Sequence, residues 1–129
     1  ELESNCLIID NIGMLSRLYK YATITYVGGG FGYDGLHNIL EAAVYGKPVI
    51  FGPAFEKNFE ANDLIDCSGA ISIKSAVELE KVINNLFANE KEILSRGAAS
   101  KQYVYKHAGA SEKIISHINQ KKYLASQSI

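Results

Sequence analysis

Short apolar runs alternate along this chain with stretches whose apolar positions recur every three or four residues, and the alternation predicts strands and helices in turn. Residues 6–9 (Cys-Leu-Ile-Ile) form the first run, ending at Asp10; Leu15, Leu18 and Tyr19 then fall at helical spacing within residues 13–21. Residues 23–27 are rich in β-branched side chains and stop at glycine, 39–45 read as a helix closed by Gly46, and 48–51 form a short strand before Gly52 and Pro53. A helix over 60–66 and a strand over 70–73 follow. Ser75-Ala76-Val77-Glu78 then has the spacing of a capping box, opening a helix with Leu79, Val82, Ile83 and Leu86 on one face. From about residue 90 to 105, and again from 111 to 118, only helical spacing occurs, with 106–110 as the break and 120–129 as a polar tail.

Short, nearly all-apolar strands separated by helices imply a Rossmann-like α/β fold: a parallel sheet with helices on both faces, joined by right-handed crossovers and followed by C-terminal helices. In such sheets ligands bind beyond the carboxyl ends of the strands. The loops at 10–13, 28–35 and 52–55 each follow an apolar run, so all three are expected to open on one crevice.

Composition narrows the classes. The 129 residues, 47% of them hydrophobic, suit one compact domain over 1–129 with no internal repeat. A formal charge of −1 offers no basic field for nucleic acid or anionic lipid, and no apolar run is long enough to span a membrane. Cys6 and Cys67 lie far apart without metal-ligand spacing, which predicts reduced, buried thiols of a cytosolic protein and no metal site. The N-terminus has neither a signal-peptide charge pattern nor an initiator Met, so the chain reads as a fragment of a larger protein.

The candidate chemistry lies at Gly28-Gly29-Gly30, followed by His37-Asn38 and Glu41. Glycines let the backbone turn through φ > 0 and bring bare N–H groups up to an anion, while a following helix adds its unpaired N–H groups. Glu41, one turn inside a helix starting near Asn38, is placed to accept hydrogen bonds from ribose hydroxyls. His37 fits a surface histidine, a polar lid on the helix start, or a donor to phosphate, and draws its weight only from its neighbours. Asn38-Ile39-Leu40-Glu41 has capping-box spacing too, which needs no ligand, and the glycines do not match the G-x-G-x-x-G dinucleotide fingerprint.

The ordered set Asp10-Asn11-Ile12-Gly13, Val27-Gly28-Gly29-Gly30, His37-Asn38-Ile39-Leu40-Glu41-Ala42-Ala43, Gly46-Lys47-Pro48-Val49-Ile50-Phe51-Gly52-Pro53 and Asn58-Phe59 resembles the carboxyl-terminal domain of 3-deoxy-D-manno-octulosonic acid (Kdo) transferase, over residues 6 to about 73. The resemblance implies a two-domain GT-B glycosyltransferase. Its donor would be CMP-Kdo, its acceptor a lipid A precursor at the cytoplasmic face of the inner membrane, and its stereochemistry inverting without metal or cofactor. It further implies that Gly28, Gly29 and Gly30 lie against the donor phosphate, that His37, Asn38 and Glu41 hold the phosphate and ribose, and that Gly52 and Pro53 shape the adjoining wall. The chain departs from the family at Met14, where a glutamate is common, and at Ile39 and Ala42, where prolines are.

By the same resemblance the catalytic base belongs to an amino-terminal domain outside this chain. The fragment is therefore expected to be inactive alone, cut short on its N-terminal side, and able to self-associate through an exposed sheet edge. Two alternatives use the same residues: another GT-B donor domain taking a UDP-sugar, and a non-enzymatic flavodoxin-like module with Asp10 as its acidic residue.

Overall fold

The computed structural model describes residues 5–32, 35–121 and 123. Three parallel strands, β1 (Thr25–Val27), β2 (Val49–Phe51) and β3 (Ala70–Ser72), form a sheet in the order β1-β2-β3, with Tyr26 opposite Ile50 and Ile50 opposite Ile71. The helices are α1 (Leu15–Leu18), running into a 3-10 turn at Tyr19–Tyr21, then α2 (Leu40–Ala43), α3 (Phe59–Asp66), α4 (Ala76–Phe87), α5 (Glu90–His107) and α6 (Ala110–Gln120).

The central strand β2 is apolar throughout because it is covered twice, and Val49, Ile50 and Phe51 are fully buried. On one face Val49 and Phe51 join Val27 and Ala70, packed by Ile39, Ala42 and Ala43 near α2, by Ala61 and Leu64 of α3, and by Tyr103 and Val104 of α5. On the other, Ile50 meets Ile73 and Leu86, with Leu79, Val82 and Ile83 of α4 closing over them. The parallel sheet with helices on both faces is therefore as the residue pattern implies.

Local chemistry accounts for the helix ends. Asn58 caps α3 by accepting from the Ala61 N–H at 2.9 Å, and Asn89 caps α5 by accepting from Glu92 at 3.2 Å. At α4, Ser75 Oγ accepts from the Glu78 N–H at 3.2 Å while Glu78 Oε2 accepts from the Lys74 N–H at 2.7 Å, so the carboxylate reaches one residue before the cap. Ser75→Ala is expected to cost about 1 kcal/mol. Urea unfolding should show a lower midpoint at unchanged m-value.

Helix α5 clamps the first face. Ser100 is fully buried and donates to the Gly69 carbonyl at 2.8 Å, and Arg96, paired with Glu92 at 2.8 Å, donates to the Ser68 carbonyl at 3.1 Å. The Tyr103 hydroxyl donates to Asp63 Oδ2 at 2.9 Å, tying α5 to α3. Burial, then that hydrogen bond and the Asp63 charge, push its pKa up to about 12. Because the folded state holds this proton more tightly, the tie contributes fully below pH ~10 and is lost as pH rises toward 12.

Three expectations are corrected. Residues 6–9 are not a strand: they have no regular structure, and Leu7 and Ile8 are more than four-fifths exposed. An apolar run becomes a strand only where a ladder partner and a covering layer receive it, and among the described residues β1 ends the sheet on that side. The predicted helix at 39–45 shortens to Leu40–Ala43, with residues 44–46 forming a turn. Cys6 and Cys67 are exposed instead of buried, and no disulfide joins them; Cys67 sits just past the end of α3, its thiol 3.5 Å from the Leu64 carbonyl. Within the predicted polar tail, Gln120 still belongs to α6, and residues 122 and 124–129 lie outside the described ones.

Candidate functional site

Strands β1 and β2 deliver two loops to the same edge, and glycine lets them touch. A Cβ on Gly30 would lie 2.8 Å from Gly52 Cα, and one on Gly52 would lie 2.5 Å from the Gly30 carbonyl carbon. The Ala54 N–H donates across this seam to the Gly30 carbonyl at 2.8 Å. Backbone therefore meets backbone with no side chain between, which joins the loops into one wall. Gly29 takes φ +88°, and a side chain there would strike the Gly35 carbonyl, so the tight return of the first loop also depends on glycine.

The loop closes when the His37 N–H donates to the Gly28 carbonyl at 3.1 Å. This lays the His37 ring near Gly28 and Gly29 and leaves the side chain exposed. Asn38 Oδ1 accepts from the Leu40 N–H at 3.1 Å, while Asn38 Nδ2 donates to Glu41 Oε1 at 3.2 Å. This is not the reciprocal capping box that the spacing allows. Ile39 occupies the cap position, and the carboxylate reaches the Asn38 side chain instead of a backbone N–H. Glu41 is half-buried with its charge directed at that corner. The buried Tyr19 hydroxyl nearby titrates above its ordinary range, from burial first and from the Glu41 charge second.

A cavity of about 650 Å³ opens beside the seam, lined by Gly32, Gly35 and Leu36 of the first loop and residues 53–60 of the second. Of the sequence-predicted residues, Pro53 borders the cavity, and Gly30 and Gly52 form the seam joining its two walls. His37 and Asn38 precede α2 and Glu41 lies within it, and none of the three is on the cavity lining. The loop at 10–13 is not carried here by a strand, and its residues are exposed. Because α2 is a single turn, it supplies little of the dipole expected of a full helix; the eight-residue α3 begins on the cavity rim. Phe55 lies in the 52–55 loop expected at the crevice and does line the cavity, whereas Lys57 and Phe59 went unread as cavity residues, although the strand-end rule extends to them. Among the described residues no cluster of three or more His, Cys, Asp or Glu could hold a metal ion.

What the arrangement offers is a strand-end crevice between the two loops, of a size that suits a small polar ligand.

The Kdo transferase of Aquifex aeolicus is 36% identical over 93 residues, which cover 71% of this chain and 26% of that protein. The Kdo transferase of Rickettsia typhi is 35% identical over 121 residues, covering 93% of this chain and 24% of that protein. The chain is a relative of the Kdo transferases. It spans about a quarter of the length of these curated Kdo transferases. The Kdo-transferase resemblance of the glycine loop and of the His-Asn segment thus extends, in the Rickettsia typhi protein, into the C-terminal helices. No family model matches the chain. Its fold is similar to the crystal structure of the C-terminal CMP-Kdo binding domain of WaaA from Acinetobacter baumannii, with a TM-score of 0.68 and 23% identity, over 74% of this chain and 51% of that one. This agrees with a GT-B carboxyl-terminal architecture for this relative of the Kdo transferases.

Proposed function

We propose that residues 1–129 are the donor-binding domain of a two-domain, inverting glycosyltransferase that moves Kdo from CMP-Kdo to a lipid A precursor. The observation that carries this reading is the Gly30–Gly52 seam with its adjoining cavity at the strand ends, in a chain related to Kdo transferases. In this reading the amides of Gly28, Gly29 and Gly30 face the donor phosphate, His37 and Asn38 bound the phosphate and ribose, and Glu41 accepts from the ribose hydroxyls. Gly52 and Pro53 form the neighbouring wall.

The domain's share of catalysis is electrostatic and positional. Fixed backbone dipoles need no reorganisation as CMP departs, and a donor held in one pose does not repeat the entropy cost at the transition state. Deprotonation of the acceptor hydroxyl falls to a base on the amino-terminal domain, so this chain alone should show no transfer. The acceptor would be met by that domain at the cytoplasmic face of the inner membrane; no helix among the described residues is long and apolar enough to cross a membrane. Among the described residues β1 is an edge strand, which offers unpaired backbone groups to a second copy.

Calorimetry with CMP and UDP on the two-domain protein tests the assignment. Tighter binding of CMP is expected; tighter binding of UDP would transfer the site to a UDP-sugar enzyme.

A further inference from the structure

The cavity beside the glycine seam carries three charged side chains on its lining: Glu56, Lys57 and Glu60. Lys57 is exposed, and among the described residues it has no salt-bridge partner; the ion pair found among them joins Arg96 to Glu92. A cavity bordered by two carboxylates repels an anionic ligand unless a cation meets it. Like charges a few ångströms apart repel, and more strongly near a protein surface than in bulk water.

The proposed donor carries two anions, the phosphate of CMP and the carboxylate of an octulosonic acid. The backbone amides of residues 28–30 are neutral and suit the phosphate, which leaves the sugar's carboxylate without a positive partner. We propose that Lys57 is that partner, reading the carboxylate of the donor sugar and so selecting an acidic sugar over a neutral one. The assignment rests on the donor-domain reading. Lysine fits this role because its ammonium is a point charge on a flexible four-carbon stem that reaches from the second loop into the cavity. Phe55 and Leu36 border the same cavity and offer apolar surface to a sugar ring.

The test compares two ligands that differ by the acidic sugar, using the full-length protein. In wild type and in Lys57→Met, the dissociation constants of CMP and of CMP-Kdo are measured by calorimetry, with urea midpoints as a folding control. Lys57→Met should weaken CMP-Kdo about tenfold and change CMP less than about twofold, while Lys57→Arg keeps most of the donor affinity. Equal losses for both ligands would place the lysine on the phosphate and overturn the assignment. No loss for either would overturn it too, leaving the donor reading intact. Wild-type protein that binds neither ligand would overturn the donor reading and this assignment together.

Discussion

Gly52→Ala should lower stability by about 2–3 kcal/mol and weaken donor binding at least about tenfold, because the added methyl group has nowhere to go. Its Cβ would lie 2.5 Å from both the carbonyl carbon and oxygen of Gly30, and 2.6 Å from Phe31 Cδ2. The phenyl ring can rotate away. The Gly30 backbone cannot, since its carbonyl is held by the Ala54 N–H and its chain leaves β1 three residues earlier. Relief therefore requires the two loops to part, which breaks that hydrogen bond and widens the wall of the site. Gly32→Ala is the control: it lies on the facing loop, two residues past Gly30, with nothing within 4 Å of its Cβ, and should change stability by less than about 0.5 kcal/mol. Urea midpoints for the pair decide the point. Equal midpoints would mean that the seam yields and does not hold the loops together.

The seam could not be read from the sequence for a physical reason. Gly30 and Gly52 are read correctly as loop glycines after two strands, but their mutual contact is a property of the sheet register, which sets Val27 beside Phe51 and so brings the following residues together. Hydrophobic period carries elements well where an element is covered on a defined side. Strand β2, the amphipathic α4 and the capped starts of α4 and α5 all follow from local pattern plus side-chain chemistry. It fails where the pattern needs an absent partner. Residues 6–9 have strand composition but join no strand among the described residues, and α2 has helical composition but ends within one turn, as residues 44–46 turn through Gly46 at φ +69° to feed β2. For the site, glycines and a carboxylate at a strand end were legible as types. The part of the cavity's second wall at residues 56–60 was not, because aromatic and charged residues there look like an ordinary helix lead-in.

Glu41→Gln should raise the KM for the donor about 10- to 100-fold in the full-length enzyme while leaving kcat within about twofold. Hydrogen bonds to a charged acceptor contribute about 1.5–3 kcal/mol, and a ribose contact is made equally in the ground and transition states, so its loss is uniform binding. The substitution separates the two roles available to this side chain. Glutamine retains an oxygen that can accept from Asn38 Nδ2, now at 3.2 Å from Glu41 Oε1, so the corner around α2 keeps its internal hydrogen bond and the urea midpoint should barely move. Only the negative charge is removed. A carboxylate that serves the fold alone would leave KM unchanged in Glu41→Gln, with instability confined to Glu41→Ala, and that outcome would sink the ribose role. An independent signal confirms that the charge has gone: the Tyr19 hydroxyl, raised by burial and then by Glu41, should titrate at lower pH in Glu41→Gln, with the burial contribution remaining. A lowered Tyr19 pKa together with a raised donor KM and an unmoved midpoint is the combination that a donor-binding carboxylate requires.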